Sequence, residues 1–248
     1  MITQQLTFFQ QDSRIIPVMI YLPDGFELLN KIKTVIFGNG FQSQQRFIEK
    51  KDYYCKQYTY LADFFTKKNY AFISIQYEVL GDQDCLPDMS KGKKIDQIKE
   101  RTPLWIKDEK IILEVIEQFK KSELKLDFSK FIIAGHSNGA DVAKFFANRH
   151  SSMISHVISM DGRRCPISPF VELKLLSLEA NDTCSDEDII PGKLGYDPWP
   201  GEREKIEYFI FKPKEALHRS YCEYEDDSKN DFIARDKALK AIDWFINL

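Results

Sequence analysis

The chain predicts an α/β fold: a mostly parallel twisted sheet of about eight strands with helices on both faces. Three observations carry this. Short apolar runs rich in Ile, Val and Phe alternate with longer stretches whose apolar residues recur at helical spacing, the order expected of βαβ units. The 248 residues, 43% of them hydrophobic, suffice for one large core, and no repeat or linker-like composition divides them. Finally, Phe131-Ile132-Ile133-Ala134 followed by Gly135-His136-Ser137-Asn138-Gly139 reads as a buried strand turning sharply into a helix. Residues 1–248 are therefore expected to form a single domain.

The elements follow in order. Residues 6–9 and 15–22 read as a hairpin across a polar turn, ended by Pro23-Asp24-Gly25. Residues 34–37 are a buried strand that runs into Gly38-Asn39-Gly40-Phe41, where two glycines let the backbone turn toward a ligand. Tyr54, Tyr58, Leu61, Phe64 and Phe65 mark a helix, and residues 71–77 the next core strand. Residues 81–101 are polar and aperiodic, which predicts a long loop ending at Pro103-Leu104-Trp105 and a helix beyond it. After the elbow helix, strands at residues 154–160 and 173–178 end at Asp161 and at Glu179-Ala180-Asn181-Asp182. A second long loop, residues 183–202, leads to a last strand at 206–211, to His218, and to a closing helix at 232–248.

A net charge of −3 with scattered Lys and Arg excludes a nucleic-acid-binding surface. No apolar run is long enough to span a membrane, and the first residues lack a signal-peptide pattern, so a cytoplasmic protein is expected. The five cysteines show no CxxC spacing and read as reduced thiols. The four histidines fall on separate elements, so neither a metal nor an organic cofactor is expected. Oligomeric state stays open.

Gly135-x-Ser137-x-Gly139 between a strand and a helix is a nucleophile-elbow pattern. A side chain at either glycine would collide with neighbouring backbone, and the tight turn presents the Ser137 hydroxyl. A serine attacks only when a base removes its proton, and His is the usual base near neutral pH. His136 is turned away from the serine by strand alternation, His150 suits a helix C-terminus, and His156 reads as structural. His218 follows the last strand, on the edge where open α/β sheets deliver ligand-facing residues. Asp182 is the preferred partner for His218, on the chain order Ser, acid, His and the adjacency of its strand; Asp161 is the alternative acid. Asp186 and Asp188 read as solvated. The N–H groups of Asn138 and Phe41 would hold a developing oxyanion. Tyr77, Trp105 and Trp199 are candidate pocket walls, with both long loops as a roof.

Together the hairpin, the Gly-Asn-Gly-Phe loop, the Gly-His-Ser-Asn-Gly elbow, the acid and the histidine resemble the α/β-hydrolase superfamily over nearly the whole chain. The resemblance is greatest to small lidless members, namely dienelactone hydrolase-like, cutinase-like and chlorophyllase-like proteins. It implies a cofactor-independent serine hydrolase cleaving a carboxylic ester. Thioesterase or peptidase chemistry on the same residues, or ligand binding without turnover, are the alternatives. With no propeller-sized segment before the first strand, a large oligopeptidase architecture is not expected. Some relatives take the acid one strand earlier, at the position Asp161 matches.

Overall fold

The computed structural model describes residues 3–11, 14–83, 94–168, 170–185, 189 and 205–248. Trp199, Asp186, Asp188, residues 84–93 of the first expected roof loop and most of the second lie outside the described residues. Among those described, eight strands form one sheet: β1 (Thr3–Gln11), β2 (Arg14–Leu22), β3 (Ile32–Gly38), β4 (Tyr70–Ile75), β5 (Leu126–His136), β6 (Ile154–Met160), β7 (Lys174–Leu178) and β8 (Glu207–Phe211). Their order is β1-β2-β4-β3-β5-β6-β7-β8. The hairpin pairs antiparallel and β2 joins β4 antiparallel, whereas every pairing from β4 to β8 is parallel. Five helices accompany them: α1 (Gln44–Lys50), α2 (Thr59–Thr66), α3 (Lys94–Lys120), α4 (Asn138–Arg149) and α5 (Lys229–Ile246).

The central strands are apolar throughout because both of their faces are covered. Alternation still sorts the side chains. Ile36, Ile73, Ile133, Val157 and Leu175 join a core with Trp105, Ile112 and Val115 of α3 and Val142 and Phe146 of α4. Phe37, Phe72, Ile132, Ile158 and Leu176 face the other way, against Leu61 and Phe65 of α2 and Ala238, Ile242 and Phe245 of α5. Each fully buried side chain of this size is worth about 1.5–3 kcal/mol. The sheet is therefore a rigid plate whose parallel strands end on one edge.

One boundary departs from expectation. Helix α3 begins at Lys94, inside the stretch expected as loop, and continues through Pro103. Proline removes one helix hydrogen bond and crowds the preceding turn, at a cost of about 3 kcal/mol. Ile98, Trp105 and Ile112 lie two helical turns apart and all pack on the same core, which offsets that cost. Trp105 and Tyr77, expected as pocket walls, are instead 1% exposed core residues.

Candidate functional site

Ser137 ends β5 and serves as the N-cap of α4, with φ 55° and ψ −119°. A non-glycine residue there holds roughly 1–3 kcal/mol of strain, sustained only by over-determined surroundings. Those surroundings are visible. The Ser137 N–H donates to Met160 O at 2.9 Å, and its carbonyl accepts from the N–H groups of Ala140 and Asp141 at 3.1 and 3.2 Å. A Cβ on Gly135 would lie 2.2 Å from the Gly139 carbonyl oxygen, and one on Gly139 would lie 2.1 Å from that of Gly38. Strand, helix and the loop after β3 thus meet at backbone contact. Ser137 is partly exposed within a run of buried neighbours.

That loop brings Phe41 to the elbow. A Cβ on Gly40 would lie 3.3 Å from the Ser137 Cβ, so the loop backbone rests against the serine. The Gly40 N–H donates to Tyr58 Oη at 3.3 Å and the Gln42 N–H to Glu78 Oε2 at 3.3 Å. No described residue accepts from the Phe41 N–H between them. The Gln42 side chain anchors the loop, donating to Asp52 O and accepting from the Tyr54 N–H and the Gln76 amide. Asn138, the first residue of α4, contributes an amide at a helix N-terminus, where N–H groups point outward without intrahelical partners.

His218 opens the 3-10 turn His218–Tyr221 after β8 and is partly exposed. Its Nδ1 bonds Asp161 Oδ2. Asp161 is 4% exposed and directly follows β6, with a left-handed φ of 53°. A carboxylate only accepts, so Nδ1 carries the proton and Nε2 keeps its lone pair. Asp161 also accepts from the Ala180 N–H at 3.1 Å and the Thr183 hydroxyl at 2.8 Å, and Arg163 Nε stands 3.6 Å from its Oδ2. Burial alone would raise the Asp161 carboxyl. The hydrogen bond and charge of His218, with Ala180 and Thr183, outweigh it and hold the group well below the usual carboxylate range.

The structure places the two candidate acids differently. Asp182 is exposed, and its Oδ1 accepts from the main-chain N–H of His218 at 2.7 Å rather than from the ring. The cause is backbone geometry. Asp161 leaves β6 with a turned φ that keeps its side chain under the imidazole, whereas β7 ends at Leu178 and the chain reaches the surface before Asp182. Asn181 fixes that stretch by donating to Pro213 O at 2.7 Å and Ala216 O at 3.2 Å, which also seats the approach to His218.

His136 carries more than strand alternation could show. It is turned away from Ser137, and its Nε2 donates to the carbonyl of His218 at 2.9 Å. Its Nδ1 therefore accepts, with Tyr58 Oη and Cys222 Sγ each at 3.2 Å. Burial, then the charge of His218, hold His136 far below the ordinary imidazole range, so the ring stays neutral. A continuous path runs from the Gly40 loop through Tyr58 and His136 to the histidine backbone. His150 bonds Glu109 at 2.7 Å, and both ring nitrogens of His156 are buried without partners.

Two helices grip the loops. On α4, Asp141 Oδ1 accepts from the N–H groups of Arg164 and Cys165 at 2.9 and 3.0 Å, while Lys144 Nζ donates to Gly162 O at 3.0 Å. On α5, Arg235 donates to Ser220 O at 2.9 Å and Cys222 O at 2.6 Å.

No protein-family model and no curated protein sequence matches the chain. Solved structures do. A dienelactone hydrolase from Anabaena variabilis superposes with a TM-score of 0.54 at 15% identity, over 99% of this chain and 98% of the other. A dienelactone hydrolase-like promiscuous phosphotriesterase from metagenomic libraries gives 0.61 at 10% identity, over 98% of each chain. An acylaminoacyl peptidase from Pyrococcus horikoshii gives 0.59 at 14% identity, over 99% of this chain but only 41% of its own. With the strand order and the elbow, these matches define the class: the chain has the α/β-hydrolase fold. Dienelactone hydrolase-like proteins are among its structural relatives. No helix among the described residues is long and apolar enough to cross a membrane.

Proposed function

We propose that the protein is a serine hydrolase that cleaves a small carboxylic ester through an acyl-enzyme. One observation carries the assignment: the His218 ring is bonded through Nδ1 to a buried carboxylate, and its centroid lies 4.7 Å from that of His136, the residue before the strained serine at the helix N-terminus. Ser137 Oγ attacks the ester carbonyl while His218 Nε2 takes its proton. Asp161 holds the tautomer and stabilises the imidazolium; Asp182 steadies the histidine backbone. The N–H groups of Asn138 and Phe41 receive the oxyanion. Collapse of the tetrahedral intermediate passes the proton from His218 to the departing alcohol. Water then attacks the acyl-enzyme with His218 again the base, which releases the acid and restores Ser137. No metal or organic cofactor takes part in these steps.

A fluorophosphonate probe and a series of p-nitrophenyl esters test this. The folded protein is expected to label at Ser137 and to hydrolyse the shorter esters. Ser137→Ala is expected to abolish both, with kcat down about 10⁴- to 10⁶-fold and the fold retained. Retention of even a tenth of the wild-type rate in that variant refutes the assignment. Faster turnover of thioesters or peptides would move the substrate class and leave the triad standing.

A further inference from the structure

A second group of acids lies behind the elbow, away from Asp161. Glu78, just past β4, is 3% exposed and accepts the Gln42 N–H through Oε2; its Oε1 is buried without a hydrogen-bond partner. Asp108 on α3 is fully buried and accepts from the Asn138 amide at 3.4 Å through Oδ2. Each acid thus touches a residue beside one of the two proposed oxyanion donors: Gln42 next to Phe41, and Asn138 itself.

The charges around them do not balance. Arg14, from β2, forms a two-pronged pair with Asp82 at 2.6 and 2.9 Å. Lys107, from α3, stands 3.6 Å from both Asp82 and Asp108. Among the described residues, three carboxyls (Glu78, Asp82, Asp108) face two cations, and no ion pair reaches Glu78. The charged groups that act on it are Asp108 and, with opposite sign, Lys107; the Gln42 amide and the buried Tyr77 phenol, itself driven well up by burial and by both acids, are neutral. A sealed carboxyl with an anionic neighbour and no ion pair of its own keeps its proton.

We propose that Glu78 and Asp108 form a buried carboxyl pair that braces both sides of the oxyanion hole, and that the brace works only while the pair retains one proton. The inference rests on the assignment of Phe41 and Asn138 as oxyanion donors. Burial first, then the neighbouring Asp108, push Glu78 far above the ordinary carboxylate range, against the weaker pull of Lys107. Burial likewise raises Asp108, against the pull of Lys107 and Arg14. At alkaline pH Glu78 releases its proton to solvent, and a fixed negative charge then stands behind the developing oxyanion. That charge opposes the transition state more than the neutral ester, so kcat falls while KM changes little. A serine–histidine–aspartate triad alone predicts no such fall.

The test follows p-nitrophenyl acetate hydrolysis between about pH 6 and about pH 10 for wild type, Glu78→Gln and Asp108→Asn. Wild type is expected to lose on the order of tenfold in kcat across the alkaline limb. Glu78→Gln is expected to keep a flat profile. In Asp108→Asn the limb moves to lower pH, because the charge that holds the Glu78 proton is gone. A limb that is absent in wild type, or unmoved in both variants, overturns the proposal. In parallel, through-bond-assigned carboxyl ¹³C resonances of wild type are titrated, a measurement that needs neither variant to fold. A Glu78 resonance titrating above neutrality supports the proposal, and one titrating in the ordinary carboxylate range overturns it. If Glu78 titrates above neutrality yet the fluorophosphonate fails to label Ser137, the proton-holding pair stands and the hydrolase assignment falls.

Discussion

Asp161 and Glu78 are carboxyls of nearly equal burial, 4% and 3% exposed, on opposite sides of the same elbow. Their chemistry diverges because their partners do. Asp161 accepts from an imidazole N–H, a main-chain N–H and a hydroxyl, and an arginine stands nearby, so the anion is the favoured form. Glu78 has a main-chain donor, an anionic neighbour and only the distant pull of Lys107, with no ion pair of its own among the described residues, so the neutral acid is favoured. Burial sets how much an environment matters; the number and sign of the partners set its direction. One elbow therefore has a charged wall and a neutral wall, the first suited to holding an imidazolium and the second to leaving an oxyanion undisturbed.

The largest effect is expected where the charged wall is neutralised. Asp161→Asn removes the acceptor that fixes the His218 tautomer and is expected to cost roughly 10⁴ in kcat. Asp182→Asn keeps an acceptor for the His218 main-chain N–H and is expected to cost less than about tenfold. Steady-state kinetics on one ester ranks the two, and the opposite ranking returns the acid to Asp182.

A smaller effect is expected at His136. Replacement by Phe keeps the bulk but cuts the path between the Gly40 loop and the His218 carbonyl, with an expected loss of about 10- to 100-fold in kcat and little change in KM. Gln can donate to that carbonyl and accept from Tyr58, so it is expected to recover much of the loss. Equal activity of the two variants would show the hydrogen bond to be irrelevant.

The smallest effect separates the walls by stability alone. Asp161, lowered in the fold, contributes stability that is present above the unfolded Asp value and is lost as pH falls through the folded one. Glu78, raised in the fold, contributes stability that is present below the unfolded Glu value and is lost as pH rises through the folded one. Glu78→Gln is therefore expected to melt about 2–4 °C higher than wild type at alkaline pH, with the gap closing as the solution is acidified. A gap independent of pH in thermal melts would remove the proton from the explanation.

The elbow was legible in the sequence because its constraint is local: two glycines spaced so that any side chain would strike backbone. The covered strands and both helical layers were legible for a similar reason, since apolar period and run length record burial directly. The acid was not. Asp161 and Asp182 both follow strands, and the choice turned on a left-handed residue at the end of β6 and on Asn181 tying down the chain after β7. His136 shows the same limit. Alternation tells which face a side chain takes, but not that residues 218–222 will arrive on that face. The early start of α3 escaped notice because Pro103 marks a boundary in most sequences, and here tertiary packing overrode it.

The grips of α4 and α5 give the site a mechanical order. Ser137, Asn138 and the Asp161 loop ride on one carrier, because α4 starts with the first two and holds the third through Asp141 and Lys144. His218 rides on another, through Arg235 of the last helix. Loosening α5 alone would therefore release the Arg235 tie on the turn that carries His218, leaving it to Asp182, Asp161 and His136 while Ser137 and Asp161 stay in register.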